Sequence, residues 1–153
     1  MKVGAMAAAE REGMTEAART TLRLFAASVA RAYGDRLNDL IVFGSRARGD
    51  AGPNSDLDVA VILSAVAADR FAEGMALADL AYDAIVETGV ALQPWPISID
   101  EWRNPELHAN PALVRAMRRD GRRFEAADLA RLIFESALLQ RGKRRYAGLG
   151  EYL

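Results

Sequence analysis

Two aspartates two residues apart, Asp56 and Asp58, stand ten residues after a Gly44-Ser45 pair. Asp58 runs into the apolar stretch V-A-V-I-L, so the two acids open a strand. Side chains alternate across a strand, and positions two apart share a face. The carboxylates therefore lie side by side and repel unless a cation sits between them. Before the loop, V-F ends an earlier strand at Gly44-Ser45. Gly44 lets the backbone approach a phosphate closely. Ser45 adds a hydroxyl at a helix start, where free N–H groups favour anions. Arg46 and Arg48 can clamp phosphate oxygens or pair with Asp50. Asp56 and Asp58 suit Mg²⁺, a hard cation that prefers oxygen ligands. The chemistry implied is that of a metal-bound triphosphate, with charge neutralised during an in-line displacement. A tight turn followed by capping acids would account for Gly-Ser alone. It does not account for paired carboxylates at the mouth of a buried strand, which are costly to hold without a counter-charge.

The elements around this segment are legible in the same way. Thr15 caps a helix expected to reach about Tyr33, with Ala18, Leu22, Phe25, Val29 and Ala32 on one stripe and Gly34 as its stop. Leu37 to Phe43 and Leu57 to Leu63 read as strands, the second apolar enough to be buried on both faces. Gly44 to Gly49 begins a turn or short helix, and residues 51–54 form a loop. A helix is expected over Ala68 to Glu87, ended by Gly89. Val90 to Ile99 is extended, but Pro94 and Pro96 make it irregular or an edge strand. Asn110-Pro111 starts a helix that stops at Gly121, and Ala126 to about Gln140 is a last amphipathic helix. The order implies a small α/β domain: residues 1–13 a flexible lead-in, 14–123 the domain, and 124–153 a C-terminal helix and tail.

The spacing Gly44-Ser45, ten residues, Asp56-Leu57-Asp58 resembles the active-site pattern of the polymerase-β-type nucleotidyltransferases. The surrounding G-S-R-A-R-G-D and S-D-L-D-V-A-V are similar to the minimal nucleotidyltransferases, small prokaryotic proteins of about this size. The resemblance spans roughly residues 15–123. It implies a short mixed β-sheet flanked by helices. It also implies that Gly44 and Ser45 hold the nucleotide phosphates and that Asp56 and Asp58 bind Mg²⁺. The reaction implied transfers a nucleoside monophosphate, AMP from ATP, to an acceptor and releases pyrophosphate. By that resemblance, small members are often encoded with a HEPN-type helical partner and some modify it by adding AMP to a tyrosine, which implies a protein hydroxyl as acceptor and the role of an antitoxin. Transfer to a small molecule is the alternative enzyme reading. A third carboxylate is usual on the next strand, where alignment here places Gln93. Gln accepts no proton at neutral pH and is a weak Mg²⁺ ligand. A module that binds nucleotide or a partner without turnover is therefore the rival from another class. Asp100 and Glu101 lie beyond two prolines and read better as first-turn acids of a short helix.

Composition narrows the rest. One domain of 153 residues is long enough for a core, with 51% hydrophobic and 27% charged residues. Cysteine is absent, so neither a disulfide framework nor a thiolate metal site exists, which fits a reducing cytoplasm. No apolar run is long enough for a bilayer, and the N-terminus lacks the apolar core of a signal peptide. Net charge is −1, but residues 101–153 carry 11 Lys/Arg against 7 Asp/Glu. Such basic runs read as solvated helix faces and ends, so nucleic acid is not an expected partner. His108 completes an Arg-x4-His string, the ribonuclease signature of HEPN proteins, but in a proline-containing linker the match reads as chance. Trp95 and Trp102 read as packing residues rather than base-stacking ones. The last helix is expected to pack on the domain, the alternative being a homodimer or partner interface.

Overall fold

The computed structural model describes residues 14–49, 51–52, 55–125, 128, 130–135, 137–138 and 141. The N-terminal lead-in, Asp50, Leu129 and the tail beyond residue 141 lie outside the described residues. The elements run α1 (Glu16–Tyr33), β1 (Leu37–Phe43), α2 (Ser45–Arg48), β2 (Leu57–Leu63), α3 (Arg70–Thr88), β3 (Leu92–Ser98), α4 (Ile99–Arg103), α5 (Pro111–Asp120) and β4 (Arg122–Arg123). The described residues between 128 and 141 are helical.

The caps foreseen are in place. Thr15 accepts from the Ala18 N–H, and Gly34 at φ 53° ends α1. Asn110 accepts from the Leu113 N–H and Pro111 opens α5. α3 starts at Arg70 rather than Ala68, because Asp69 captures the Ala72 N–H and fixes the cap there.

The strand order is β3-β2-β1-β4. β1 runs antiparallel to β2 and β4, and β2 parallel to β3, so the sheet is mixed. β3 is an edge strand, where its two prolines cost no ladder bonds on the open side. The two-residue β4 was not foreseen. Its register puts Arg123 beside Ile41, and its guanidinium reaches Asp39 at 3.1 Å.

Alternation divides the core between the two sheet faces. On one, Leu40, Val42, Val59, Val61 and Leu63 meet Phe25 and Val29 of α1 and Leu77 and Ala81 of α3. Leu132 and Ile133 of the C-terminal helical segment also pack there, as expected. On the other face, Ile41, Phe43, Ala60, Ile62 and Ile97 meet Val114 and Met117 of α5. Asp58 shares this second face with Ala60 and Ile62. Gly121 lets α5 turn back into β4. A Cβ there would come within 2.2 Å of the Met117 carbonyl oxygen and 2.4 Å of Ile41 Cγ2.

Candidate active site

The β1–α2 junction and the start of β2 meet as the motif spacing requires. Gly44 adopts φ 75° and ψ −156°, a conformation disfavoured for side-chain-bearing residues, and caps the single turn of α2. A Cβ on Gly44 would lie 2.7 Å from Asp58 Oδ2. The glycine therefore makes room for a carboxylate as well as for a phosphate. Ser45 is the first residue of α2 and partly buried.

Asp58 lies in β2, opposite Phe43 of β1 on one side and Gln93 of β3 on the other. Asp56 is exposed and stands one residue before the strand begins, not in it. Burial pushes the Asp58 carboxyl above its ordinary range. The Trp95 N–H opposes that rise, the Asp56 charge adds to it, and the Arg48 guanidinium relieves part of it. Asp56 and Arg48 thus both act on Asp58 electrostatically.

The two arginines of the motif part company. Arg46 is 3% exposed, and its Nε and Nη2 donate to the Ser55 carbonyl at 3.1 and 2.7 Å. Ser55 is held further by exchange with Gly52, whose N–H donates to the Ser55 hydroxyl at 2.8 Å. Arg46 is therefore turned onto the residue preceding Asp56. Arg48 is exposed and acts on both Asp58 and Asp120.

The β2–β3 register pairs Asp58 with Gln93, so the residue at the place of a third carboxylate is an exposed amide. Glu101 does not substitute for it. It is 8% exposed, closes a capping box with Ser98, and takes two bonds from Arg70 Nη2 at 2.6 and 2.7 Å. Burial would raise its carboxyl, but Arg70 and the Ser98 donors outweigh that and hold it below the usual range. Asp100 is exposed in the first turn of α4, the structural role expected of both acids. Among the described residues, no three His, Cys, Asp or Glu side chains gather as metal ligands.

Trp95 has a role that its residue type alone did not suggest. Its indole N–H points at Asp58 Oδ1, 3.5 Å away, and its ring packs edge-on against Phe43 with centroids 6.3 Å apart. The signal was available: Trp95 lies two residues after Gln93 and so on the same face. His108 Nδ1 accepts from the Asn110 N–H at 2.9 Å in the turn before α5, a local structural bond. Trp102 packs at the edge of the second core.

The donor set fits a hard divalent cation. Mg²⁺ is commonly held by one or two carboxylates together with phosphate oxygens and water, and the two carboxylates beside the glycine turn would supply the protein's share. A separate cavity of about 190 Å³ opens between α1 and β4, lined by Leu22, Val42 and Phe124 among several arginines. It meets the motif only through Arg46 and Ala47.

The family model described as nucleotidyltransferase domain matches residues 22–109, more than half of the chain. No curated protein matches. Among solved structures, a toxin–antitoxin with AMP-PNP shares 17% identity, covering 81% of this chain and 92% of that one at a TM-score of 0.46. A mutant of the MntA–HpeT toxin–antitoxin shares 16% identity, covering 81% and 91% at a TM-score of 0.44.

Proposed function

The chain belongs to the nucleotidyltransferase domain family, and on that premise we propose that it transfers a nucleoside monophosphate, AMP from ATP, to a hydroxyl of a partner protein. The observation that carries the reading is the seating of the Asp58 carboxylate against Gly44, beside Asp56 and Arg48. In this reading the Gly44-Ser45 turn receives the triphosphate through its backbone N–H groups and the Ser45 hydroxyl. Asp56 and Asp58 hold Mg²⁺, which when bound supplies charge neutralisation along the phosphates. Arg48 faces phosphate oxygens, while Arg46 keeps Ser55, and through it Asp56, in place. Trp95 orients the Asp58 carboxylate.

The acceptor oxygen attacks the α-phosphorus, the bond from that phosphorus to its bridging oxygen breaks, and pyrophosphate leaves. The hydroxyl proton goes to a base borne by the acceptor protein, because Gln93 cannot take it. The exposed rim of Arg48, Asp56 and Gln93 leaves space for a macromolecular acceptor. By its resemblance to minimal nucleotidyltransferases, the partner proposed is a HEPN-type helical protein and the role that of its antitoxin.

The pairing of Gln93 with Asp58 favours a second reading, a module that binds nucleotide without turning it over. Incubation with Mg²⁺ and α-labelled ATP, with and without the helical partner, separates the two. Label on the partner, lost in Asp56→Asn/Asp58→Asn, supports transfer. Binding with neither labelled protein nor pyrophosphate supports the module.

A further inference from the structure

The two oxygens of the Asp58 carboxylate face different company. Oδ2 points at the Gly44 turn, where a Cβ would lie 2.7 Å from it. Oδ1 points at the Trp95 indole N–H, 3.5 Å away. β1 and β3 flank β2 on opposite sides. One oxygen therefore belongs to the glycine turn that follows β1, and the other to β3.

Register fixes what stands on the β3 side. Gln93 is the partner of Asp58, and Trp95 follows two residues later. Partners in adjacent strands share a face at a spacing of about 4.8 Å, and so do positions two apart. Gln93 and Trp95 thus both stand on the Asp58 face. Gln93 is exposed, while Trp95 is half-buried with its ring edge-on to Phe43.

The two oxygens are therefore unequal toward a cation. Oδ2 faces a glycine that carries no side chain, with Asp56 nearby to share the charge. At Oδ1 an N–H hydrogen stands in the direction from which a cation would approach. The β3 side chain at the level of Asp58 ends in a neutral amide, a weak Mg²⁺ ligand. Paired cations in phosphoryl-transfer sites stand about 3.5–4 Å apart. A second ion beside one on Oδ2 would have to share Asp58 through Oδ1.

Resting on the metal–triphosphate reading above, we propose that Gln93 and the Trp95 N–H restrict the site to one divalent cation, held on the Gly44 side of Asp58. Gln93 determines the number of ions: a carboxylate in its place turns the β3 side into a second cation position. Trp95 is a positioning residue that acts through Asp58, by keeping Oδ1 on an N–H donor.

Mn²⁺ counts the ions, since its paramagnetic resonance separates free from bound. Titration of Mn²⁺ into the full chain with α,β-methylene-ATP, which cannot release pyrophosphate, should show one ion per bound nucleotide in the wild type and two in Gln93→Glu. Gln93 is exposed, so circular dichroism and melting should not change. In Gln93→Glu/Trp95→Phe the second ion should bind at least about threefold more tightly than in Gln93→Glu, because Phe keeps a ring and lacks the N–H. Two ions in the wild type, or one in Gln93→Glu, would overturn the proposal and leave the metal–triphosphate site standing. A second ion held no more tightly without the N–H would overturn the part given to Trp95. A wild type that binds no Mn²⁺–nucleotide would overturn the site reading itself, and this inference with it.

Discussion

Asp58 is held at a cost. Its folded-state pKa lies above its unfolded value, chiefly through burial. The folded protein therefore binds that proton more tightly, and this term lowers stability as pH rises through the carboxylate range. Asp58→Asn removes the charge and keeps an oxygen for the Trp95 N–H. Differential scanning calorimetry at neutral pH should show Tm rising, on the order of 1–3 °C, while nucleotide transfer is lost. A fall in Tm would mean that the charge is not the costly element. Gly44 is the matching constraint. Gly44→Ala meets both the positive φ and the Asp58 oxygen, and should cost about 1–3 kcal/mol in urea denaturation. Part of that cost is the clash, so Gly44→Ala should be cheaper in an Asp58→Ala background, a coupling that a double-mutant cycle measures. Of these residues, spacing alone made the close approach of Gly44 and Asp58 legible. The inward turn of Arg46 was not, because its partner is a backbone carbonyl nine positions away, and a carbonyl has no signature in residue type.

Most elements followed from local punctuation. Thr15, Gly34 and Asn110-Pro111 set helix ends by satisfying orphan backbone groups, an effect confined to a few residues and so readable in sequence. Strand order was not readable, since it depends on which strands share a face of the core. β4 escaped notice for the same reason: two arginines have no strand pattern, and only the tight Gly121 turn lays them against β1. Gly121→Ala should therefore destabilise by about 2 kcal/mol or more, because backbone and Ile41 both block the new methyl. The α3–α4 link is electrostatic. Arg70 spans the Pro96 carbonyl at 2.6 Å and the Glu101 carboxylate. Glu101 has a lowered pKa in the folded state, so its contribution is present above the ordinary carboxylate value and lost as pH falls through the lowered one. Glu101→Gln should cost about 1–2 kcal/mol in denaturant titrations at pH 7, and progressively less as the pH falls through the lowered value. A loss that does not shrink as the pH falls would assign the effect to packing.

Across the whole molecule, one mixed sheet carries two unequal cores. α1 and α3 cover one face with a long apolar layer, and α5 covers the other with a shorter one. Asp58 and its neighbours lie on the more lightly covered face, at the end where β2 begins. That placement lets a rigid sheet hold one carboxylate half-buried while Arg48, Asp56 and Gln93 stay exposed. No helix among the described residues is long and apolar enough to cross a membrane. The sheet sets Gln93 beside Asp58, where the resemblance implies a third carboxylate. The central claim is that Gly44-Ser45 and the Asp56–Asp58 pair form one metal–triphosphate site. Isothermal titration of Mg-ATP into the wild type and into Asp56→Asn/Asp58→Asn tests it directly. The account predicts Mg²⁺-dependent binding to the wild type and at least about a tenfold loss in the double variant. Equal affinity for both proteins would contradict it.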